Sequence, residues 1–227
     1  MTIPLIDKLD NFEIVGTQIA AILAAETMAQ QVLAIDAGKD PDLWKFDVYS
    51  EKMNPFEVFQ EDKEPVPVVN VWYDRSNFPE SDGDVMRSQR DFATYNIDIY
   101  AAVSASDNIA GGHNPIDQSS VLALHRIARL VRNILMHPDN VHLQLKQVID
   151  LRSQNLVGKR WIASKEVFQP QIGDRPVQGV IAMRIVLNVT FNEFPVLQIY
   201  ENLEVVGIEV KRASDGKIIL QADFDTT

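Results

Sequence analysis

The sequence predicts an α+β fold: a mostly antiparallel (mixed) β-sheet with two main helices packed on one face, plus a C-terminal β-hairpin. Three observations carry this. Two segments repeat apolar residues at helical spacing, and several others alternate apolar and polar residues at strand spacing. Two helices among so many strands cannot cover both sheet faces while also covering each other, so they belong on one side.

Residues 17–37, TQIAAILAAETMAQQVLAIDA, read as the first helix, with Ile19, Ile22, Leu23, Ala29, Val32 and Leu33 as its apolar stripe. Thr17 is the expected cap, and Gly38 with Pro41 the expected stop. The aromatic segment Trp44–Tyr49 alternates like a strand, and the acidic run Glu57–Glu64 reads as a loop. Pro65–Asp74, PVPVVNVWYD, is a valine-rich strand with its prolines at the entry. Residues 75–90 then form a long polar excursion, of the kind that is usually functional or disordered.

Phe92–Val103 is a second strand, with Tyr95, Ile97 and Ile99 on one face and Thr94, Asn96 and Asp98 on the other. After the polar segment 104–116, Asp117–Met136 is the second helix, its buried face Leu124, Ile127, Val131, Ile134 and Leu135, stopped by His137-Pro138. Val141–Arg152 and Lys159–Phe168 alternate as strands, and 169–179 is a third polar loop. In residues 180–192, Ile181, Met183, Ile185, Leu187, Val189 and Phe191 share one face, and the length predicts that part of this strand projects beyond its neighbours. Leu203–Arg212 and Lys217–Phe224 form the hairpin, turned at Ser214-Asp215-Gly216. The predicted organisation is a core domain over 1–199 with long polar loops, and a hairpin extension over 200–227.

Composition narrows the function. The apolar share of 46% and charged share of 23% fit a globular chain. A formal charge of -11 argues against broad gripping of nucleic-acid phosphates. With no cysteine there is no disulfide framework, thiol nucleophile or cysteine-held zinc. Asp7, Lys8 and Asp10 interrupt any signal-peptide core, and no stretch of 18 consecutive apolar residues appears, so neither export nor a membrane span is expected.

No residue pattern points to catalysis, a cofactor or a metal. His137 and His142 stand five apart, which suits neither a helical nor a strand metal pair. His113 and His125 have no histidine near them in sequence. Glu80, Asp82 and Asp84 lack the periodicity of a calcium loop, Gly111-Gly112 lacks the lysine of a phosphate cradle, and no GxSxG occurs. The one basic cluster is Arg126, Arg129 and Arg132, three residues apart on one broad face of the second helix. It reads either as a solvated face or as an ion-pair face between subunits, for which arginine's bidentate contacts to carboxylates suit an acidic chain. A stripe facing DNA is the third reading of the same cluster.

The order of elements, with a strand ending NIDIYAAV, a helix ending ARLVRNILMHP and a late strand ending FNEF, resembles the tail terminator or tail-completion proteins of long-tailed bacteriophages over roughly residues 15–195. The resemblance implies a structural virion protein in the tail or neck, assembled in the host cytoplasm, that caps the tail tube as a homo-hexameric ring. Its implied neighbours are the tail tube, the head-neck connector and, in a contractile tail, the sheath, with DNA passing through the lumen without sequence-specific binding. It transfers no catalytic residue and no cofactor. The long insertions and the hairpin 200–227 depart from compact members. Another virion part, such as a head-completion, tube or baseplate protein, is the alternative, and an enzyme using scattered carboxylates or histidines is the alternative from a different class.

Overall fold

In a computed structural model the fold is α+β, with two long helices on one face of a five-stranded mixed sheet. The structure describes residues 9–55, 59, 66–79, 89–102, 106–107, 113–114, 116–149, 152–172, 175–176, 180–193, 208–211 and 218–222. The elements are α1 (Asn11–Asp36), β1 (Asp47–Ser50), β2 (Val68–Asn77), β3 (Gln89–Ala102), β4 (Ser106–Asp107), β5 (His113–Asn114), α2 (Ile116–Met136), β6 (Lys146–Ile149), β7 (Arg152–Asn155), β8 (Val157–Phe168), β9 (Gln171–Ile172), β10 (Arg175–Pro176), β11 (Val180–Glu193), β12 (Ile208–Lys211) and β13 (Ile218–Ala222). Leu9–Glu193 is one compact unit, and β12 and β13 belong to a second, where they pair antiparallel as the expected hairpin.

The sheet order is β1-β2-β3-β11-β8, parallel only between β1 and β2. Val69, Val71, Tyr95, Ile97, Ile99, Ile185, Leu187 and Val189 line its inner face and meet Val15, Ile19 and Leu23 of α1 and Leu124, Ile127, Val131 and Leu135 of α2 in one core. Each such side chain, once covered, contributes about 1.5–3 kcal/mol, enough that the alternation fixes the register. β11 does not project beyond β3, and only Val180, Ile181, Asn192 and Glu193 at its ends run past β8. It is the inner strand between β3 and β8, paired with β3 along its whole length and with β8 from Ala182 to Phe191. Its length is used for pairing because its neighbours are long as well.

Several boundaries differ from the sequence reading. α1 begins six residues before Thr17, because Asp10 serves as its cap and the Glu13 carboxylate accepts the Asp10 backbone N–H at 2.8 Å. Of the expected stripe only Ile19, Ile22 and Leu23 are buried, while Ala29, Val32 and Leu33 are exposed. By length and composition α1 would also suit a membrane crossing, with 28% of its apolar window buried. Trp44 ends a 3-10 turn, Pro41–Trp44, rather than opening a strand, since the Asp40 carboxylate accepts from the Asp42 N–H and caps that turn. The predicted strand 141–152 breaks into a turn, with Leu143 and Gln144 at positive φ, and the separate pair β6–β7. The excursion 75–90 is shorter than read, because Arg75–Asn77 and Gln89–Arg90 extend the paired strands β2 and β3. The polar segments 104–116 and 169–179 carry the short pairs β4–β5 and β9–β10. The loop reading of 57–64 and the turn at Ser214-Asp215-Gly216 lie outside the described residues, Phe59 excepted.

Candidate assembly surfaces

The outer sheet face, opposite the helices, is polar at its centre, with Asn70, Asn96 and Asp98 buried and Trp72 and Arg184 half-buried. Asp98 on β3 stands directly across from Arg184 on β11 in the antiparallel register. The guanidinium donates to both carboxylate oxygens, Nε to Oδ1 at 2.7 Å and Nη2 to Oδ2 at 2.8 Å. The Trp72 indole N–H adds a bond to Oδ2 at 3.0 Å, and the Tyr100 hydroxyl reaches the same oxygen at 3.4 Å. Arg184 also lies over the Trp72 and Phe168 rings, 5.0 and 5.4 Å from their centroids.

This arrangement locks β2, β3 and β11 together. The bonds from Asp98 hold the Arg184 guanidinium above its usual range, and burial, followed by the Asp98 charge, pushes the Tyr100 phenol up. A carboxylate filled by donors and a phenol held protonated are suited to rigidity and recognition rather than proton transfer. The group borders a cleft of about 290 Å³ that also reaches Glu51, Lys52 and Asn70. Asn70 accepts from the Lys52 N–H at 3.1 Å and donates to its carbonyl at 2.9 Å, so a side chain continues the ladder beyond β1.

Asp91 is the incompletely satisfied polar group of the opposite, helix-facing side of the sheet, where it stands across from the core residue Phe191. Its Oδ2 takes the Ser76 hydroxyl at 2.6 Å, whereas Oδ1 is buried without a partner. Burial outweighs the serine bond and raises the carboxyl above its usual range. Folding therefore favours the protonated form, a contribution fully present in acid below the unfolded value and lost as pH rises through the folded one.

The two ends of the sheet differ from each other. Among the described residues no strand pairs with the outer edge of β8 or of β1. β8 is a 12-residue edge with Lys159, Lys165, Trp161 and Val167 exposed. β1 is four residues long, opening on exposed Asp47 and followed by exposed Glu51. An open edge of that length is a template for another strand.

Arg126, Arg129 and Arg132 do lie together on the outward side of α2, half-buried in the first case and exposed in the other two. Among the described residues none has a carboxylate within 4.0 Å, and Arg132 bonds only to the neighbouring Asn133, at 3.3 Å. His137 sits 3.5 Å from Asp139, and His142 meets the Val157 carbonyl at 2.7 Å across the turn, so each histidine of the spaced pair has its own neighbour. His125 is exposed on α2. Among the described residues no three metal-binding side chains converge.

The arginine with the largest structural role in α2 comes from outside the cluster. Arg160 on β8 donates to the carbonyls of Leu135 at 2.5 Å, His137 at 2.8 Å and Val141 at 3.3 Å. It closes a helix whose last turn has no basic residue of its own. Comparison with known proteins returns no matching family model and no matching curated sequence.

Proposed function

We propose that the protein is a structural virion component that caps a phage tail tube as a ring, of about six copies as in the family it resembles, and joins it to the head-neck connector. One observation supports a ring above the rest: the two free edges of the sheet complement each other. Tracing direction through β1, β2, β3, β11 and β8 leaves β8 running opposite to β1. A neighbour that continues the sheet therefore brings its β1 antiparallel to β8, the geometry with the better hydrogen bonds. The exposed charges lean the same way, with Lys159 and Lys165 outnumbering Glu166 on one edge and Asp47 and Glu51 outnumbering Lys45 at the other. Two β8 edges facing each other would gather four lysines at one seam, with only the two Glu166 carboxylates to offset them. A contact between unlike edges repeats around an axis and closes into a ring.

The outer face suits a conduit wall, being held rigid by Asp98, Arg184 and Trp72. Arg126, Arg129 and Arg132 are available for carboxylates of a neighbouring subunit. Electron micrographs of the purified protein, alone and with tail tubes, test the proposal. Closed rings are expected, and Lys165→Glu is expected to abolish most of them while leaving the melting temperature unchanged. Particles of single-subunit size in both samples, or rings indifferent to Lys165→Glu, overturn it.

A further inference from the structure

α1 carries an apolar outer face that the described residues of its own fold leave exposed. Ala21, Ala25, Met28, Val32 and Ile35 follow at steps of four, three, four and three residues, and all five are exposed. Met28 is 65%, Val32 58% and Ile35 60% exposed. The opposite side of the same helix is spent on the sheet through Val15, Ile19, Ile22 and Leu23. Single apolar residues on a surface are ordinary, but five in line over about 21 Å of helix mark an interaction surface. The four-three spacing is the one that keeps a seam turned toward a second helix.

The seam identifies its occupant by size. It begins small, with Ala21 and Ala25, is centred on Met28, and ends large, with Val32 and Ile35. An antiparallel twofold through Met28 sets Ala21 against Ile35, Ala25 against Val32, and Met28 against itself. The alanines then face the branched side chains Val32 and Ile35, and only the flexible Met28 meets its own kind, on the axis. A parallel pair would stack Ile35 on Ile35 and leave the alanines apart. Ala24, Ala29 and Gln31 flank the seam without charge, so two copies do not repel.

A lipid surface fits less well. α1 contains no lysine or arginine, and its charged residues are Glu13, Glu26 and Asp36, whereas helices that lie on membranes carry basic residues for anionic headgroups. Thr27 also anchors the helix within the protein, donating to the Trp44 carbonyl at 3.1 Å and accepting from the Phe46 N–H at 3.4 Å.

We propose that α1 is a self-association helix through which two copies of this chain pair antiparallel, with Met28 on the twofold axis. The contact uses neither sheet edge nor the arginines of α2, so it stands or falls separately from the ring. An isologous contact of this kind closes on itself as a pair.

The chain has no cysteine, so single cysteines report the geometry directly. Under mild oxidation at about 100 µM, a concentration suited to a small interface, Met28→Cys is expected to give mostly a disulfide-linked dimer. Ala21→Cys alone and Ile35→Cys alone are expected to stay monomeric on a non-reducing gel, because like positions lie about 21 Å apart in the antiparallel pair. The two mixed together are expected to link. Adding Val32→Glu to Met28→Cys should cut the linked fraction at least tenfold with helix content and melting temperature unchanged, since position 32 faces solvent in the single chain. Folded Met28→Cys that stays unlinked overturns the proposal. Ile35→Cys linking as readily as Met28→Cys replaces the register with a parallel one and overturns it too, as does co-sedimentation of the wild-type chain with phosphatidylglycerol vesicles while Met28→Cys remains unlinked.

Discussion

The two helices lie on the same sheet face and present opposite outer surfaces. α2 is amphipathic: Leu124, Ile127, Val131 and Leu135 enter the core, while His125, Arg129 and Arg132 are exposed. α1 buries Ile19 and Leu23 yet leaves Met28, Val32 and Ile35 in the open. Their ends differ as well. α1 closes itself, with Gly38 at φ 65, the Gly38 N–H donating to Ile35 at 2.9 Å and the Lys39 N–H to Ala34 at 2.8 Å. α2 is closed from across the sheet by Arg160. What this teaches is that one helix is finished by its own domain, whereas the other is complete along its backbone and unfinished on its surface.

The largest expected effect sharpens the buried half of that contrast. Ile127→Ala, at a position 1% exposed on α2, should cost about 3 kcal/mol in urea unfolding, the usual price of an unfilled core cavity. Arg160→Ala comes next. It frees three carbonyls at the end of α2 and is expected to cost about 2 kcal/mol and speed amide exchange in the last turn of α2, with exchange in α1 unaltered. Because the three carbonyls are met by separate nitrogens of one planar guanidinium, Arg160→Lys should recover only a small part of the loss. The smallest effects fall on the outer faces. Val32→Gln on α1 and Arg129→Glu on α2 should each change monomer stability by less than about 0.5 kcal/mol. On assembly they part: Val32→Gln is expected to weaken pairing of copies, and Arg129→Glu to weaken ring formation, each read by size-exclusion chromatography. A Val32→Gln loss comparable to that of Ile127→Ala would break the comparison, since the side chain would then belong to the core.

Much of the fold was legible because burial on one side of a strand or helix leaves a period in the chain. Tyr95, Ile97 and Ile99, and the face from Met183 to Phe191, are core positions as read. The helices on one side of a mixed sheet followed from their number. The start of α1 was misplaced because its cap, Asp10 with Glu13, lies beyond the alanine-rich run that dominates the pattern. The exposed side of α1 was hidden for a related reason: apolar residues lie on both sides of the helix, so the stripe read from Ile19 to Leu33 joined buried positions to open ones. Asp98 sat on the expected polar face and Arg184 falls opposite the apolar face of Met183 and Ile185, yet they stand 86 residues apart and only the register of β3 on β11 joins them. Arg160 was read as one more alternating position, because its role depends on where α2 ends in space. The arginine cluster was visible in sequence, and whether a partner meets it is a property of the assembly.

Sedimentation equilibrium over protein concentrations from about 1 to about 100 µM, a range in which small interfaces populate, is the most direct check that copies of this chain complete its open edges and apolar helix face. The expected result is a mass that rises from 25.6 kDa to multiples of it as concentration increases. A mass fixed at 25.6 kDa at every concentration would contradict it.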